Sequence, residues 1–337
     1  MKNESRTQKH TRDTLRDKTV FRSGEKISDK YTADIDVEKC LRAAITGNMR
    51  DLNEDEKRSL TPESGGALLA PEISARLIDN LRQSEWMEIF QPTIITMREA
   101  ETRIPNITAL PTAIMHTPGT EQTPTEPTIE AATLSAKTMM VLVEVANELL
   151  QDAATSQNII IQACTAALSN KMLQQVLYGI GVAPDMKGIT TYDASSFADA
   201  GIKAGEIDLF RLVTLAKMAI IKGNGTLNAM LYACDLEDRL NRRLNTGELV
   251  QPSRAFTELY NAGKVLPHPS VANGDMIFMQ ADSLFMGFRE HMRIETDPYS
   301  AFNSNNTKFR LIIRADIFAN TARMVYYSGI PAIEPEG

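Results

Sequence analysis

The stretch that decides the fold is PTAIMHTPGTEQTPTEPTIEAATLS, residues 111–135. It is rich in threonine, proline and glutamate, and no lysine or arginine occurs between Arg103 and Lys137. Its apolar content is too low for a core of its own, and loops this long are usually disordered or functional. The flanking segments TRIPNI (102–107) and KTMMVLVEVANELL (137–150) have the pattern of strands. The sequence therefore predicts a projecting two-stranded arm, which is marginally stable alone and needs a surface to lie on.

A long helix is predicted after the arm, because apolar residues recur at helical spacing from about Thr155 to Tyr178. At ~1.5 Å per residue such a helix is about 36 Å long, which is the span of a whole domain. Thr155 or Ser156 can cap its start, and Gly179 stands where a left-handed C-cap is expected. This helix is the predicted spine of the fold.

The segment GIGVAPDMKGI (179–189) superficially resembles a glycine-rich phosphate loop. A phosphate cradle needs its glycines before a helix, where free N–H groups and the positive dipole end face the anion. Here the glycines follow a helix, Pro184 replaces the last glycine of the dinucleotide motif, and Lys187 precedes Gly188 instead of following it. A nucleotide-phosphate site is therefore excluded.

The remaining patterns predict a mixed body. Residues 1 to about 33 are expected to be disordered, and short helices are expected between Asp36 and Leu60 and just after Pro71. Later segments predict an amphipathic helix (208–225), a buried strand (227–233), a short helix capped by Asp235, and successive short strands from 274 to 329. Without a β-α-β alternation, the predicted fold class is α+β.

The bulk composition narrows the function. The chain has 337 residues, which is enough for one large or two modest domains, and a net charge of −7. This charge argues against a dedicated nucleic-acid reader, which is normally basic. No apolar run approaches the roughly 20 residues that span a bilayer, and the N-terminus lacks the apolar core of a secretory signal. We therefore expect a protein that acts in the cytosol or in something assembled there, without a membrane partner.

Basic residues outnumber acids in the first thirty positions: Lys2, Arg6, Lys9, Arg12, Arg16, Lys18, Arg22, Lys26 and Lys30. Such a run is most often a solvated tail, although it can also contact a polyanion by counterion release. Three cysteines lie far apart, which favours reduced thiols: Cys40, Cys164 and Cys234. No histidine has a partner at ligand spacing, so we expect no metal.

No catalytic motif occurs in the sequence, whether a G-x-S-x-G elbow, an H-E-x-x-H helix or a C-x-x-C pair. Glu290, Glu295 and Asp297 surround His291, but a charged turn at a strand edge is the commoner explanation of such a cluster. The 16 methionines, Met139, Met140, Met276, Met279 and Met286 among them, are expected to fill gaps in the core. We expect no enzyme and no cofactor.

A series of segments, in this order, resembles the major capsid proteins of tailed bacteriophages, the Hong Kong 97-type family. They are ESGGALLAPEISARLIDNLRQ (63–83), TRIPNI, TEQTPTEPTIEAATLSAKTMMVLVEVANELLQDA (120–153) and APDMKGI (183–189), followed by similar segments within 223–249, 264–297 and 309–327. The resemblance covers about residues 62 to 328. It implies an α+β fold with a spine helix, an extended E-loop hairpin, an N-terminal arm, and peripheral and axial domains.

The resemblance also implies a domain plan. Residues 1–61 would form an N-terminal disordered or short helical segment and arm, 62–96 the end of that arm and the first helix, and 97–140 the E-loop hairpin. Residues 141–200 would form the peripheral domain with the spine helix, 201–300 the axial domain, and 301–337 the return strands and C-terminal tail. The assembly-interface candidates are Thr117, Glu121, Thr125, Glu126 and Glu130 in the hairpin, with Gly65 and Gly66 in the arm.

The implied function is a structural shell protein. Its copies would assemble as hexamers and pentamers, in a host bacterial cytoplasm, into an icosahedral virion capsid around double-stranded DNA that is enclosed without sequence readout. The implied partners are neighbouring capsomers and scaffold, portal and protease proteins. Some members are joined by an isopeptide bond from an E-loop lysine, and since this loop lacks lysine, we expect no such crosslink. The alternatives are an encapsulin-like nanocompartment shell and, from another class, a soluble enzyme with an unrecognised site.

Overall fold

A computed structural model describes residues 19–22, 25–30, 39–40, 43, 49–50, 52–58, 60–63, 66–69, 74–75, 78–79, 81, 84–109, 128–147, 154–201, 208–240, 252–289, 293–297, 299–300 and 302–330. Within these ranges the chain forms an eight-stranded sheet, a four-stranded sheet and a separate two-stranded sheet, together with α-helices. The predicted α+β class is confirmed.

The eight-stranded sheet is built around one long strand, β13 (Asn306–Ala319). The strand order is β1-β4-β11-β13-β12-β3-β2. Strands β11 and β12 pair with successive parts of one edge of β13, and β7 pairs with its opposite edge. All pairs are antiparallel except β4 with β11, which is parallel. The other seven strands are β1 (Val20–Phe21), β2 (Leu60–Glu63), β3 (Gly66–Leu69), β4 (Thr93–Met97), β7 (Lys137–Ala146), β11 (Leu284–Arg289) and β12 (Arg293–Asp297).

The four-stranded sheet has the order β14-β10-β8-β9. Its members are β8 (Ala229–Tyr232), β9 (Val265–Pro267), β10 (Met276–Met279) and β14 (Met324–Tyr327). Every residue of the two inner strands, β8 and β10, is buried, which is the pattern of a central strand covered on both faces. The predicted buried strand at 227–233 is thereby confirmed.

Six α-helices have described bounds: α1 (Glu54–Arg58), α2 (Glu85–Phe90), α3 (Ala154–Tyr178), α4 (Leu209–Lys222), α5 (Glu237–Leu240) and α6 (Arg254–Asn261). The predicted spine helix is α3, and the predicted amphipathic helix is α4, whose first N–H groups are capped by the Asp208 carboxylate. Asp235 is not a helix cap as predicted, since its carboxylate instead accepts the N–H of Gly274. None of the helices in the described part combines the length and apolarity that a membrane crossing requires.

The main core extends from one face of the eight-stranded sheet, which we call the inner face, to the four-stranded sheet and α4. Val145 of β7 is buried there together with Phe309 and Ile313 of β13, and α3 packs beside β7. Trp86 of α2 is 2% exposed, and its indole Nε1 donates to the Ser169 hydroxyl of α3 at 3.0 Å. The sheet, the spine helix and α2 therefore form one packed unit.

A buried carboxylate links the end of the spine helix to the four-stranded sheet. Asp275 accepts hydrogen bonds from the hydroxyls of Tyr178 and Tyr326, each at 2.9 Å. Burial raises the pKa of Tyr326 to about 12, and it raises the pKa of Tyr178 as well. Both hydroxyls therefore stay protonated and can donate at neutral pH.

The spine helix leaves through a turn in which two backbone segments touch. Gly179 is not a left-handed C-cap as predicted; the left-handed residue is Gly181, with φ of 77°. A Cβ on Gly179 would lie 2.3 Å from the carbonyl oxygen of Met186, and the N–H of Gly188 donates to the Gly179 carbonyl at 2.8 Å. Gly179 and Gly188 therefore allow two backbone segments to touch, which agrees with the exclusion of a phosphate loop.

The N-terminal segment differs from the prediction of disorder up to residue 33. Residues 20–21 form β1, which pairs with Ile94 and Ile95 at the edge of the main sheet, and Phe21 is 1% exposed. The Asp79 carboxylate accepts the N–H groups of Ile27 and Ser28 at 3.0 and 2.9 Å. Phe21 and Ile27 are both buried, but as isolated apolar residues they produce no periodic pattern in the sequence. Residues 1–18 lie outside the described residues.

The Phe21→Ala variant is expected to lower the free energy of unfolding by about 2 kcal/mol. This is less than a Phe→Ala change in a deep core, because the two-residue strand can detach locally and limit the loss. Chemical denaturation of the full chain measures the effect. Val20→Ala is the matched control, since Val20 is 42% exposed, and equal effects of the two changes would contradict the burial of Phe21.

Candidate functional site

The arm predicted from the insert is present as a separate two-stranded sheet. Strands β5 (Glu101–Ala109) and β6 (Thr128–Ser135) pair antiparallel, from Glu101 opposite Ser135 to the far end at Ala109 and Thr128. The return strand was predicted at 137–150, but that segment begins with β7, which pairs with β13 in the main sheet. Residues 110–127, which connect the two strands, lie outside the described residues.

The hairpin is seated on the outer face of the main sheet, opposite the main core. A small apolar cluster forms there from Ile95, Met97 and Leu134, with Ile104 and Ala136 packed against it. Below it lies Gly287, where a Cβ would come within 2.6 Å of the Met97 sulfur and 2.8 Å of Leu134 Cδ1. The absence of a side chain at this position lets the hairpin base approach the sheet.

Polar contacts fix the same base to β13. The Asp316 carboxylate, 4% exposed, accepts the Ser135 N–H at 2.7 Å and pairs with the Lys137 ammonium at 3.0 Å. Arg314 Nη2 donates to the Ala136 carbonyl at 3.3 Å. Because these contacts hold three consecutive residues at the junction of β6 and β7, we call this group the hairpin latch.

The direction of the hairpin follows from the backbone at its two ends. Residues 98–100 bend between β4 and β5, whereas Ala136, the single residue between β6 and β7, shows neither a bend nor a turn. The chain therefore runs from β6 onward into β7, and the far end of the hairpin points away from β7. Within the described residues, the arm does not fold back onto its own body around a cleft.

Next to the latch, the outer face of the sheet exposes two large apolar side chains. Met140 and Leu142 of β7 are 63% and 65% exposed, and they lie directly opposite Ile312 and Arg310 of β13. Arg314 occupies the same face two residues further along β13. We call these five residues the outer platform. The expectation that Met140 fills the core was wrong, whereas Met276, Met279 and Met286 are fully buried.

Charged pairs border the outer platform. Lys308 pairs with Glu144 at 3.6 Å, and Glu295 pairs with both Arg310 and Arg293. A hydrogen bond from Asn306, reinforced by Lys308, lowers the pKa of Glu144, so this carboxylate is ionised near neutral pH. Glu295 is thus part of a cross-strand charge ladder, whereas Glu290 and His291 of the predicted cluster lie outside the described residues.

One polar atom of the outer platform is unsatisfied. Arg314 Nε is buried and has no hydrogen-bond partner within the described ranges, although the residue as a whole is only half-buried. Buried donors without an acceptor are rare in native proteins and call for an explanation. This donor lies on the face that also presents Met140 and Leu142.

The predicted interface residues fall mostly in the connection. Glu130 lies in β6 and Gly66 in β3, whereas Thr117, Glu121, Thr125, Glu126 and Gly65 lie outside the described residues. The sequence reasoning did not single out Met140, Leu142, Arg314 or Asp316. One signal was available: the run MMVLV is apolar at consecutive positions, so a strand with one face in the core must expose the rest. Within the described part, no three metal-ligating side chains come together.

Comparisons with known proteins agree with this architecture. A model described as the phage capsid family matches residues 65–233, half of the chain. The structure is similar to a chain of Mycobacterium phage Adephagia (16% identity, TM-score 0.56, 75% of this chain and 91% of the other). It is similar to one of Microbacterium phage Oxtober96 (16%, 0.53, 88% and 99%) and to the capsid of a native GTA particle (12%, 0.54, 74% and 91%). No curated protein sequence matches the chain.

Proposed function

Because this chain belongs to the phage capsid family and is a structural shell protein of the Hong Kong 97-type fold, we propose that it assembles as hexameric and pentameric capsomers into an icosahedral shell. The shell would enclose double-stranded DNA without reading its sequence and would form in the cytoplasm of a bacterial host. Scaffold, portal and protease proteins are the proposed partners of this process. The nanocompartment and enzyme alternatives are not favoured by the family match.

The observation that carries the proposal is the hairpin itself. Strands β5 and β6 form an isolated two-stranded sheet, and its contact with the body is concentrated at the hairpin latch and the small cluster above Gly287. A two-stranded ribbon is marginally stable alone in water, so most of this one needs a second surface. A neighbouring subunit supplies such a surface in a closed shell, where many modest contacts add together.

The domain plan is proposed on the same basis. Residues 97–140 would act as the E-loop, 141–200 with 301–337 as the peripheral domain, and 201–300 as the axial domain. Residues 1–61 and 62–96 would supply the N-terminal arm and the first helix. Thr117, Glu121, Thr125, Glu126 and Glu130 would contact a neighbour through the hairpin, and Gly65 and Gly66 through the arm.

Assembly of the purified full chain tests the proposal. We expect size-exclusion chromatography and negative-stain microscopy to show capsomers or closed particles. A denaturing gel of these particles should show one band near 37.3 kDa, because the hairpin carries no lysine for a crosslink. Replacing residues 110–127 by an Asn-Gly turn should leave the fold intact and abolish assembly. A chain that stays monomeric at every concentration would overturn the proposal.

A further inference from the structure

Strand β7 has one unused side in the eight-stranded sheet. Within the described ranges it pairs only with β13, over ten positions from Lys137 to Ala146 and without a register shift. In this part of the chain, the N–H and C=O groups that alternate toward its other side have no strand to bond. Natural edge strands are normally protected against pairing with another chain by a proline, a bulge, a charge or a short length. A strand as long as β7 is therefore expected to carry such protection.

The middle of β7 lacks it. Residues 138–143 read TMMVLV, with no proline, glycine or charge, and the continuous register with β13 leaves no room for a bulge. The two charges stand near the ends of the strand, and each is already paired, Lys137 with Asp316 and Glu144 with Lys308. The edge is therefore apolar at its centre, and the flanking charges are compensated within the same chain.

The side of β7 is also accessible. Met140 and Leu142, which point to the outer face, are 63% and 65% exposed. Met139, Val141 and Val143 point to the core, yet they are only half-buried. By contrast, every residue of the central strands β8 and β10 is buried. A long, apolar and accessible edge is a template for a strand of another chain.

We propose that β7 pairs antiparallel with β7 of a second copy, across a two-fold axis at Val141, so that two main sheets become one continuous sheet. This contact rests on the proposed function and adds an isologous joint between subunits, in which both copies use the same residues. In this register Met140 of one copy lies opposite Leu142 of the other, so each exposed apolar side chain faces another. Thr138 lies opposite Glu144, where its hydroxyl can donate to the carboxylate.

The sequence of β7 selects the register. A two-fold axis perpendicular to the sheet places outward residues opposite outward residues, so it passes through a residue and not between two. An axis at Leu142 would place Met140 opposite Glu144, and an axis at Met140 would place Leu142 opposite Thr138. Of these three axes, the one at Val141 alone gives both exposed apolar side chains an apolar partner. The paired area is small for a lone dimer, so the contact acts where many copies add together in a shell.

Cysteine trapping tests the pairing. Cys234, the one exposed cysteine of the three, is first replaced by serine, and the two buried cysteines stay. In one design every chain carries Val141→Cys, and in the other Met140→Cys and Leu142→Cys chains are assembled together. Successive pairs of an antiparallel ladder alternate between close and wide spacing, so at least one design has disulfide geometry. We expect mild oxidation of the particles to give a reducible dimer of 37.3 kDa chains in that design.

Thr138→Cys in every chain is the matched control for both designs. It lies on the same strand and is exposed, but in the proposed register its two copies are about 20 Å apart. We expect at least tenfold less dimer from this variant than from the better of the two designs. Mass spectrometry of the dimer should identify the 141–141 or the 140–142 disulfide.

Paired charges test the register without cysteines. Met140→Lys with Leu142→Lys, or Met140→Glu with Leu142→Glu, places like charges opposite each other across the axis. Each of these variants should lower particle yield at least tenfold. One lysine and one glutamate, in either order, place opposite charges there and should restore at least half of the yield. All four variants change the same two exposed positions, so the unassembled chains should have similar thermal stability.

The outcomes separate this contact from the proposed function. If particles form and neither design gives more dimer than Thr138→Cys, the pairing of β7 is wrong while the shell stands. Equal yields from the like-charged and the oppositely charged variants would also overturn it. If no particles form under any condition but the concentrated chain gives the trapped dimer, the pairing stands and the proposed shell is wrong. If neither particles nor dimers form, both are wrong.

Discussion

The Gly179→Ala variant is expected to lose at least about 3 kcal/mol of unfolding free energy. A Cβ at this position would lie 2.3 Å from the Met186 carbonyl oxygen and 2.7 Å from that of Gln175, and both atoms belong to the backbone. Side-chain rearrangement cannot relieve such contacts, so the turn at 179–188 must separate from the spine helix. Overpacking in a rigid site typically costs 1–3 kcal/mol and more where the backbone has to move.

Chemical denaturation of the unassembled chain measures this loss. Gly223→Ala is the matched control, because Gly223 also follows a helix, has φ of −81°, and leaves at least 3.4 Å around a new Cβ. We expect the control to be nearly neutral. Similar losses in both variants would show that alanine after a helix is the cause, and the close approach of Gly179 to Met186 would lose its support.

The Asp316→Asn variant is expected to lose about 3 kcal/mol and to loosen the hairpin. The change keeps the shape of the side chain but removes the charge that pairs with Lys137, whose side chain is only 19% exposed. Removing one partner of a largely buried ion pair leaves the other charge uncompensated, which costs 3–5 kcal/mol when both are fully buried. The partial exposure of Lys137 places the expected loss at the lower end.

Two measurements separate local from global effects of this change. Denaturation gives the total loss, and hydrogen exchange reports the amides of β5 and β6, which should exchange faster than those of α3. Glu144→Gln is the matched control on the same pair of strands, where the Lys308 pair is exposed, and its melting temperature should not change measurably. Unchanged exchange in β5 and β6 of Asp316→Asn would show that the hairpin latch does not hold the arm.

The sequence predicted those elements whose signal is local. The spine helix was located because apolar residues repeat over 24 positions, and the later strands because short apolar runs alternate with turns. The N-terminal strand was missed because Phe21 and Ile27 are single apolar residues in a polar segment, and only pairing with β4 makes them part of the core. The return strand of the hairpin was misplaced because β6 and β7 are separated by one residue, so no turn residue marks the boundary.

The candidate site depended on pairings that a single sequence does not contain. The insert could be recognised as an arm because its composition is unusual over a long stretch, with no lysine or arginine between Arg103 and Lys137. Asp316 and Lys137 are 179 residues apart, and nothing near either residue indicates that they meet. Met140 and Leu142 look like core residues until the register with β13 shows which face of β7 is buried. The sequence signal for their position is the apolar run MMVLV, because a strand with one face in the core must expose the residues that alternate with Val141, Val143 and Val145.

Strand β13 has a mechanical consequence for a container under load. A pull on the arm passes through Ala136 into β7, and because β6 continues into β7 without a bend, it acts along the axis of β7 and loads its pairing with β13. Ten registered positions pair β13 with β7, and β11 and β12 pair with the opposite edge of β13. The tension is therefore shared by many hydrogen bonds that are loaded in shear. Pressure from packed contents would thus spread through the sheet, and the joint would yield only when many bonds break together.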